Sequence, residues 1–136
     1  MLLQSPPQLI YLAAPYRHRS KPVRDARREA ISRVAAGLTV IAHRVFCPLM
    51  YAQTLIDHGF GHKDDHWWHD YDVGWLPYCK ELVLLKLPGW VDGGGVRIKV
   101  EVAEELGIRI TYLEVPERFL GLTLEQSADL HHRLSG

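Results

Sequence analysis

The stretch ELVLLKLPGWVDGGGVRIKVEVAEELG (residues 81–107) decides the fold of this chain. Its first seven residues are almost continuously apolar, which is typical of a strand buried on both faces of a parallel sheet. A glycine-rich turn follows, and apolar residues then recur at helical spacing from Val96 to Leu106, with Gly107 suited to the C-terminal cap. A buried strand, a glycine-rich turn and a helix together predict a pocket for a small polar ligand at the end of the strand.

Strands and helices alternate in the same way along the rest of the chain. The patterns predict strands at 9–14, 44–49, 81–87 and 108–115, helices at 20–39, 96–106 and 123–134, and an interrupted helix at 66–79. Residues 50–66 show no clear pattern. We interpret residues 1–136 as a single α/β domain whose open, doubly wound parallel sheet carries helices on both faces. Ligands bind at the carboxyl ends of the strands in such sheets, so the loops after Ala14, Pro48 and Leu87 should form the site.

The composition argues against several classes of protein. The 136 residues carry 16 Lys and Arg and 16 Asp and Glu, and this balance gives no case for binding nucleic acid or an anionic membrane. No apolar run reaches the roughly 20 residues that a membrane span needs. Cys47 and Cys79 form no CxxC motif, so we interpret them as reduced, buried residues of a cytoplasmic protein. The cluster of Arg24, Arg27 and Arg28 is interpreted as a solvated helix face.

The phase of the helix that ends at Leu106 separates two candidate residues. At 100° per residue, Lys99 falls within the apolar arc and Glu101 within the polar arc, so Lys99 should point at the protein and Glu101 at solvent. The Lys99 amine then reaches water along its apolar stem, meets an acid such as Asp72 or an anionic ligand, or is neutral and able to form a Schiff base. Lys86, at the carboxyl end of its strand, favours an anionic ligand.

Histidines and tryptophans are concentrated before the third strand. His62, His66 and His69 are spaced i, i+4 and i+7, so a metal site is conceivable, but no recognised metal signature is present. We interpret the segment as a polar lining at the mouth of the pocket and expect neither a metal nor another cofactor. Four tryptophans are able to stack on a flat base, although packing in an aromatic core is the simpler interpretation for each. They are Trp67, Trp68, Trp75 and Trp90.

Several segments resemble the nucleoside 2-deoxyribosyltransferase-like superfamily, and within it the DUF1937 branch of uncharacterised proteins. They are YLAAPY, FCPL, the spacing of Trp68 and Asp72, and the blocks ELVLLKLPGW and AEELG, and the resemblance spans residues 9–114. It implies a flavodoxin-like fold, a pocket for a nucleoside or nucleotide, and hydrolase or transferase chemistry at the N-glycosidic bond. It also implies a homo-oligomer, a dimer or larger, because a neighbouring subunit often completes the active site in this superfamily.

The resemblance implies roles for individual residues. Tyr11 matches a tyrosine that ends the first strand and assists the reaction. Asp72 matches an aspartate that helps to protonate the leaving base or to position the sugar. The glycine turn matches a small-residue turn that cradles sugar or phosphate. Together with the loop after the first strand, these arguments give the candidate substrate-binding residues, which are Ala14, Pro15, Tyr16, Lys86, Trp90, Gly93, Gly94 and Gly95.

The position of the nucleophile is where this chain departs from the family pattern. Relatives have a glutamate four residues before a helix alanine and eight before the terminal glycine, and counting back from Ala103 and Gly107 gives Lys99. An ammonium cannot replace a carboxylate as a glycosyl nucleophile. Either Glu101 reaches the site through a helix shift, or Asp72 activates water, or the ligand is bound without cleavage. The candidate catalytic residues are Asp72, Tyr11, Lys99 and Glu101.

Two function hypotheses follow. The first is a nucleoside or nucleotide N-glycosidase or deoxyribosyltransferase-like enzyme. The second is a nucleotide-binding protein, a sensor or sequestering module, that lost catalysis when its glutamate became Lys99. A metal hydrolase that uses the histidine cluster is a third and weaker hypothesis.

Overall fold

The computed structural model describes residues 9–41, 44–60, 64–92 and 94–115, and these form one four-stranded sheet in which all strand pairs are parallel. The strand order is β2-β1-β3-β4, which is consistent with the predicted flavodoxin-like open sheet. The elements are β1 (Leu9–Ala13), α1 (Lys21–Val40), β2 (Arg44–Phe46), α2 (Pro48–Asp57), α3 (Asp65–Val73), a 3₁₀ turn (Leu76–Tyr78), β3 (Glu81–Leu85), α4 (Gly94–Leu106) and β4 (Arg109–Leu113).

Helices cover both faces of the sheet, as the strand–helix alternation predicts. Ile10 and Leu12 of β1 pack with Ile31 of α1 on one face. Tyr11 and Ala13 point to the other face, where α4 and the 3₁₀ turn supply the apolar partners. Successive residues of a strand point to opposite faces, so a strand covered on both sides must be apolar throughout. This explains why β1 and β3, the two central strands, are the clearest strands in the sequence.

Proline 48 begins a helix, and the strand predicted at 44–49 is therefore too long. β2 ends at Phe46, and Pro48 occupies the first turn of α2, where its missing N–H costs nothing. Helix α2 occupies the first part, up to Asp57, of the segment in which the sequence shows no clear pattern. The helix interruption near Gly74 is confirmed, because α3 ends at Val73. The helix predicted at 123–134 lies outside the described residues.

Two further predictions concern the interior and the membrane. Cys47 and Cys79 are both free thiols and both buried, as predicted. Within the described ranges, the helices include none with the length and apolar character that a membrane crossing requires.

Candidate functional site

A cavity of about 680 Å³ lies at the carboxyl ends of the central strands. All three loops that the topology predicts contribute to its wall. The loop after β1 supplies Ala14, Pro15 and Tyr16, the segment after β2 supplies Leu49, and the turn after β3 supplies Gly89. This agreement follows from the parallel sheet, in which the strand ends and their loops gather at one edge.

The start of α4 meets α3 across the cavity. Gly94 and Gly95 line the wall, whereas Gly93 lies outside the described residues. A Cβ atom at position 95 would lie 3.2 Å from Nε2 of His69, which also lines the cavity. Glycine at this position therefore lets the histidine ring of α3 approach the first turn of α4 closely.

Tyr11, Asp72 and Lys99 form a compact group that we call the cavity floor. Lys99 and Asp72 line the cavity, and both are half-buried. The Lys99 Nζ atom lies 5.8 Å from the centre of the Tyr11 ring, within the range of a cation–π contact. Tyr11 is completely buried, and its hydroxyl donates a hydrogen bond of 3.0 Å to the backbone carbonyl of Asp72. Tyr11 thus supports the other two residues from below.

Burial shifts the pKa values of all three residues of the floor. Burial raises the pKa of the Asp72 carboxyl, and the positive charges of Lys99, His69 and Arg17 oppose that rise. Burial lowers the pKa of the Lys99 amine, Asp72 opposes that change, and Arg17 adds to it. The Tyr11 hydroxyl has its pKa raised far above the usual value, mainly by burial, so it remains protonated. The Oδ1 atom of Asp72 is buried and has no hydrogen-bond partner within the described part of the chain.

Helix α1 places two arginines at the cavity, and the interpretation of this cluster as a solvated face is wrong for both. Arg27 is only 7% exposed, and its guanidinium donates to the carbonyls of Arg17, at 2.9 Å, and Pro88, at 3.0 Å. Arg24 is half-buried and donates to the His18 carbonyl. Both arginines line the cavity.

Helical phase is the sequence signal that predicts the burial of Arg27. It precedes Ala30, Ile31 and Val34 by three, four and seven residues, and all three are buried residues of α1. Arg28, one position later, is exposed as predicted. Because Arg27 binds carbonyls in the loops after β1 and β3, it fixes two walls of the cavity relative to one another.

The cavity wall carries more cations than carboxylates. Its positive side chains are Arg17, Arg24, Arg27 and Lys99, and its carboxylates are Asp72 and Asp92. The wall also includes Trp68, a large and mostly buried aromatic residue. A site of this kind favours a ligand that combines an anionic group with a flat or apolar part.

A family model for a domain of unknown function, DUF1937, matches residues 8–115. The chain belongs to this family. The match covers the whole sheet and every wall of the cavity. A search of curated proteins found no match.

Besides Tyr11, which supports the floor from below, three predicted site residues of this DUF1937 domain do not line the cavity. Lys86 pairs with Glu114 at 2.8 Å and lies 5.6 Å from the centre of the Trp90 ring. Trp90 in turn packs against Tyr112 of β4. Glu101 is exposed on α4, as the helix phase predicts, so its participation would require a different position of α4 from the one observed.

The histidine cluster is separated in space. His69 lines the cavity, but His66 is exposed and lies 3.5 Å from Asp70. His62 lies outside the described residues. Where the structure describes the chain, it contains no group of three or more His, Cys, Asp or Glu side chains able to hold a metal ion.

Proposed function

We propose that the cavity binds a nucleotide, with its phosphate against the arginines and its base against Trp68, and that the protein acts at the N-glycosidic bond. Arg17, Arg24 and Arg27 offer the planar, charged donors that recognise phosphate oxygens. Trp68 offers an apolar surface on which a flat base is able to stack. A cavity of about 680 Å³ lies within the usual size range of small-molecule sites.

The carboxyl group of Asp72 is the observation that carries this proposal. Among the described residues its buried Oδ1 atom has no hydrogen-bond partner, and a bound ligand or water molecule would recover the free energy that this costs. Burial raises its pKa, which increases the fraction that is protonated near neutral pH. Asp72 is therefore suited to donate a proton to the leaving base.

The chemistry at the glycosidic bond rests on the resemblance to the nucleoside 2-deoxyribosyltransferase-like superfamily. Family membership alone assigns no activity. From the same resemblance we propose a homo-oligomer, and exposed aromatic side chains on and near α2, namely Tyr51, Phe60 and Trp75, support it. The two buried free thiols support work in a reducing, cytoplasmic compartment.

A second candidate function is binding without cleavage. It is favoured by one observation: Lys99 lies on the cavity floor where the superfamily resemblance implies a nucleophilic glutamate, and the nearest glutamate along α4, Glu101, is exposed to solvent. The protein would then sense or sequester its nucleotide.

The full chain incubated with ribo- and deoxyribonucleosides and their 5′-monophosphates tests both functions. Calorimetry measures binding, and chromatography measures free base. We expect monophosphates to bind at least tenfold more tightly than the matching nucleosides, and free base to accumulate. Arg24→Met should weaken monophosphate binding selectively, whereas Arg28→Met, on the exposed face of the same helix, should not.

Binding without free base would select the second function. No binding of any monophosphate, or equal affinity for nucleosides and monophosphates, would contradict the proposal that the arginines hold a phosphate.

A further inference from the structure

Lys99 differs in its surroundings from Lys21 and Lys86, two other lysines of the described chain. Lys21 pairs with Asp25 and Lys86 with Glu114, each at 2.8 Å. Over the described ranges, Lys99 has no carboxylate oxygen within 4.0 Å of its amine, and its contact at the cavity floor is the ring of Tyr11. The amine is thus held at the cavity without the partner that usually fixes a half-buried lysine as a cation.

The environment of the Lys99 amine favours the neutral form of the amine more than the environment of a surface lysine does. Burial lowers the pKa of Lys99, and the nearby positive charge of Arg17 acts in the same direction. Desolvation and a neighbouring cation are the two standard ways in which proteins activate a lysine as a nucleophile. Asp72 on the same floor, whose buried Oδ1 atom has no hydrogen-bond partner among the described residues, supplies an acid and a base for proton transfer.

We propose that Lys99 is the nucleophile of this site and forms an imine with the anomeric carbon of the bound sugar. This inference rests on the proposed function, because it names the residue that attacks the sugar. It also offers a chemical alternative to loss of activity, since a neutral amine is able to attack where an ammonium is not.

The reaction balances with water as the only co-substrate. The Nζ lone pair bonds to C1′, the C1′–N bond to the base breaks, and protonated Asp72 gives its proton to the leaving base nitrogen. The alkylated amine then returns a proton to the Asp72 carboxylate. The nitrogen lone pair next expels the ring oxygen O4′, which takes the proton from Asp72, and a protonated imine joins C1′ to Lys99.

Hydrolysis of the imine completes the cycle. Water adds to C1′ while Asp72 accepts its proton. Asp72 then gives that proton to Nζ, the C1′–Nζ bond breaks as the hydroxyl oxygen on C1′ becomes the carbonyl oxygen, and the hydroxyl proton passes to Asp72. The free amine and protonated Asp72 are restored, and the sugar leaves as its open-chain aldehyde. No oxidant or reductant is needed.

Reductive trapping tests the inference directly. The full chain is incubated at neutral pH with 2-deoxyribose 5-phosphate or ribose 5-phosphate and sodium cyanoborohydride, which reduces an imine to a stable secondary amine. Peptide mass spectrometry then locates the adduct. We expect Lys99 to carry at least ten times more adduct than Lys86, to lose it in Lys99→Arg, and to keep it in the matched control Lys86→Arg.

The trapping result is independent of the nucleotide-binding result. Labelling of Lys99 that does not exceed that of Lys86, with either sugar phosphate, would overturn the inference and would mean simple glycation of surface amines. Nucleotide binding with no preferred adduct at Lys99 would be consistent with the proposed function but would exclude Lys99 as its nucleophile. A preferred adduct at Lys99 without nucleotide binding would support an imine site and contradict the proposal that the cavity binds a nucleotide.

Discussion

Two regions of this molecule hold a lysine beside an aromatic ring, and only one of these two lysines forms an ion pair with a carboxylate. At the cavity floor, the Lys99 amine lies 5.8 Å from the centre of the Tyr11 ring. At the β4 edge, which we define as Lys86, Trp90 and Glu114, the corresponding distance from Lys86 to Trp90 is 5.6 Å. Glu114 pairs with Lys86 at 2.8 Å, whereas the nearest acid of the floor, Asp72, keeps a buried oxygen unpartnered.

The difference shows that neighbours decide what a lysine does. The backbone N–H of Lys86 donates to the Leu113 carbonyl, so the β3–β4 pairing continues past Leu85 and places Lys86 beside the end of β4. Its charge is satisfied there by Glu114. Within the described structure, no carboxylate pairs with the Lys99 amine. The free energy cost of burying this amine is offset elsewhere in the fold. Costs of this kind are typical of functional sites.

The largest expected effect is that of Asp72→Asn on base release. Asparagine keeps the shape of the side chain but supplies no proton, so the rate should fall by roughly 100-fold or more, while nucleotide binding persists. Rates of base release at saturating nucleotide measure this. Asp70→Asn is the matched control, because Asp70 lies on the same helix and its side chain is 73% exposed. Equal rates for Asp72→Asn and the natural protein would exclude Asp72 as the acid.

Arg27→Met should cause the largest loss of stability. It leaves the carbonyls of Arg17 and Pro88 without their charged donor, and each such loss is costly, so the free energy of unfolding should fall by roughly 3 kcal/mol. Denaturant unfolding measures the change. Arg28→Met, on the exposed side of α1, should change it by less than about 0.5 kcal/mol. Similar values for the two variants would mean that Arg27 does not hold the cavity loops together.

Much of the fold and part of the site follow from the sequence. The central strands are apolar on both faces, and the phase of α4 correctly places Lys99 inward and Glu101 outward. Helix α2 does not follow from the sequence pattern, because Pro48 is compatible with a strand end and suits a first helical turn equally well. Burial of Arg27 does not follow from treating the charged cluster as one surface, because the members of the cluster differ in helical phase.

The rest of the site depends on contacts between distant parts of the chain. The sequence predicts that Lys86 faces the same anion as Lys99. In the structure Lys86 instead pairs with Glu114, which is 28 residues away along the chain. The hydrogen bond from Tyr11 to the Asp72 carbonyl joins residues 61 positions apart. A local sequence pattern does not show whether a carboxyl oxygen has a hydrogen-bond donor, because the donor would come from another element packed against it.

Tyr11→Phe separates support of the floor from chemistry on it. The variant keeps the ring below Lys99 but removes the hydroxyl bond to the Asp72 carbonyl, which keeps its 3.3 Å bond from the Trp75 N–H, so the free energy of unfolding should fall by about 1 kcal/mol. If the hydroxyl serves only as a support, base release per folded molecule should change little. A fall of tenfold or more would assign Tyr11 the assisting role that the family resemblance implies. Tyr78→Phe, at a residue that is 74% exposed, is the control for both measurements.

Lys99→Met should stabilise the protein near neutral pH, in contrast to most substitutions. Burial lowers the pKa of Lys99, so the folded state binds this proton less tightly than the unfolded chain does. The lysine therefore penalises folding most below its folded pKa, and the penalty disappears as pH rises past the unfolded value of about 10.4. Denaturant unfolding from pH 7 to 10 should show the stability gain of the variant shrinking with pH. A gain that is constant over this range would mean that packing, not charge, causes it.

Lys86→Met is the matched substitution at the β4 edge, and its effect should be the smallest and of opposite sign. Lys86 loses an ion pair in which the Glu114 side chain is 80% exposed, so solvent screening limits the loss to roughly 0.5 kcal/mol. The loss should shrink further in 1 M salt, which screens an exposed pair. Nucleotide affinity should stay unchanged, because Lys86 does not line the cavity. If Lys86→Met weakened nucleotide binding as much as Arg24→Met, the β4 edge would be part of the site and the contrast between the two lysines would fail.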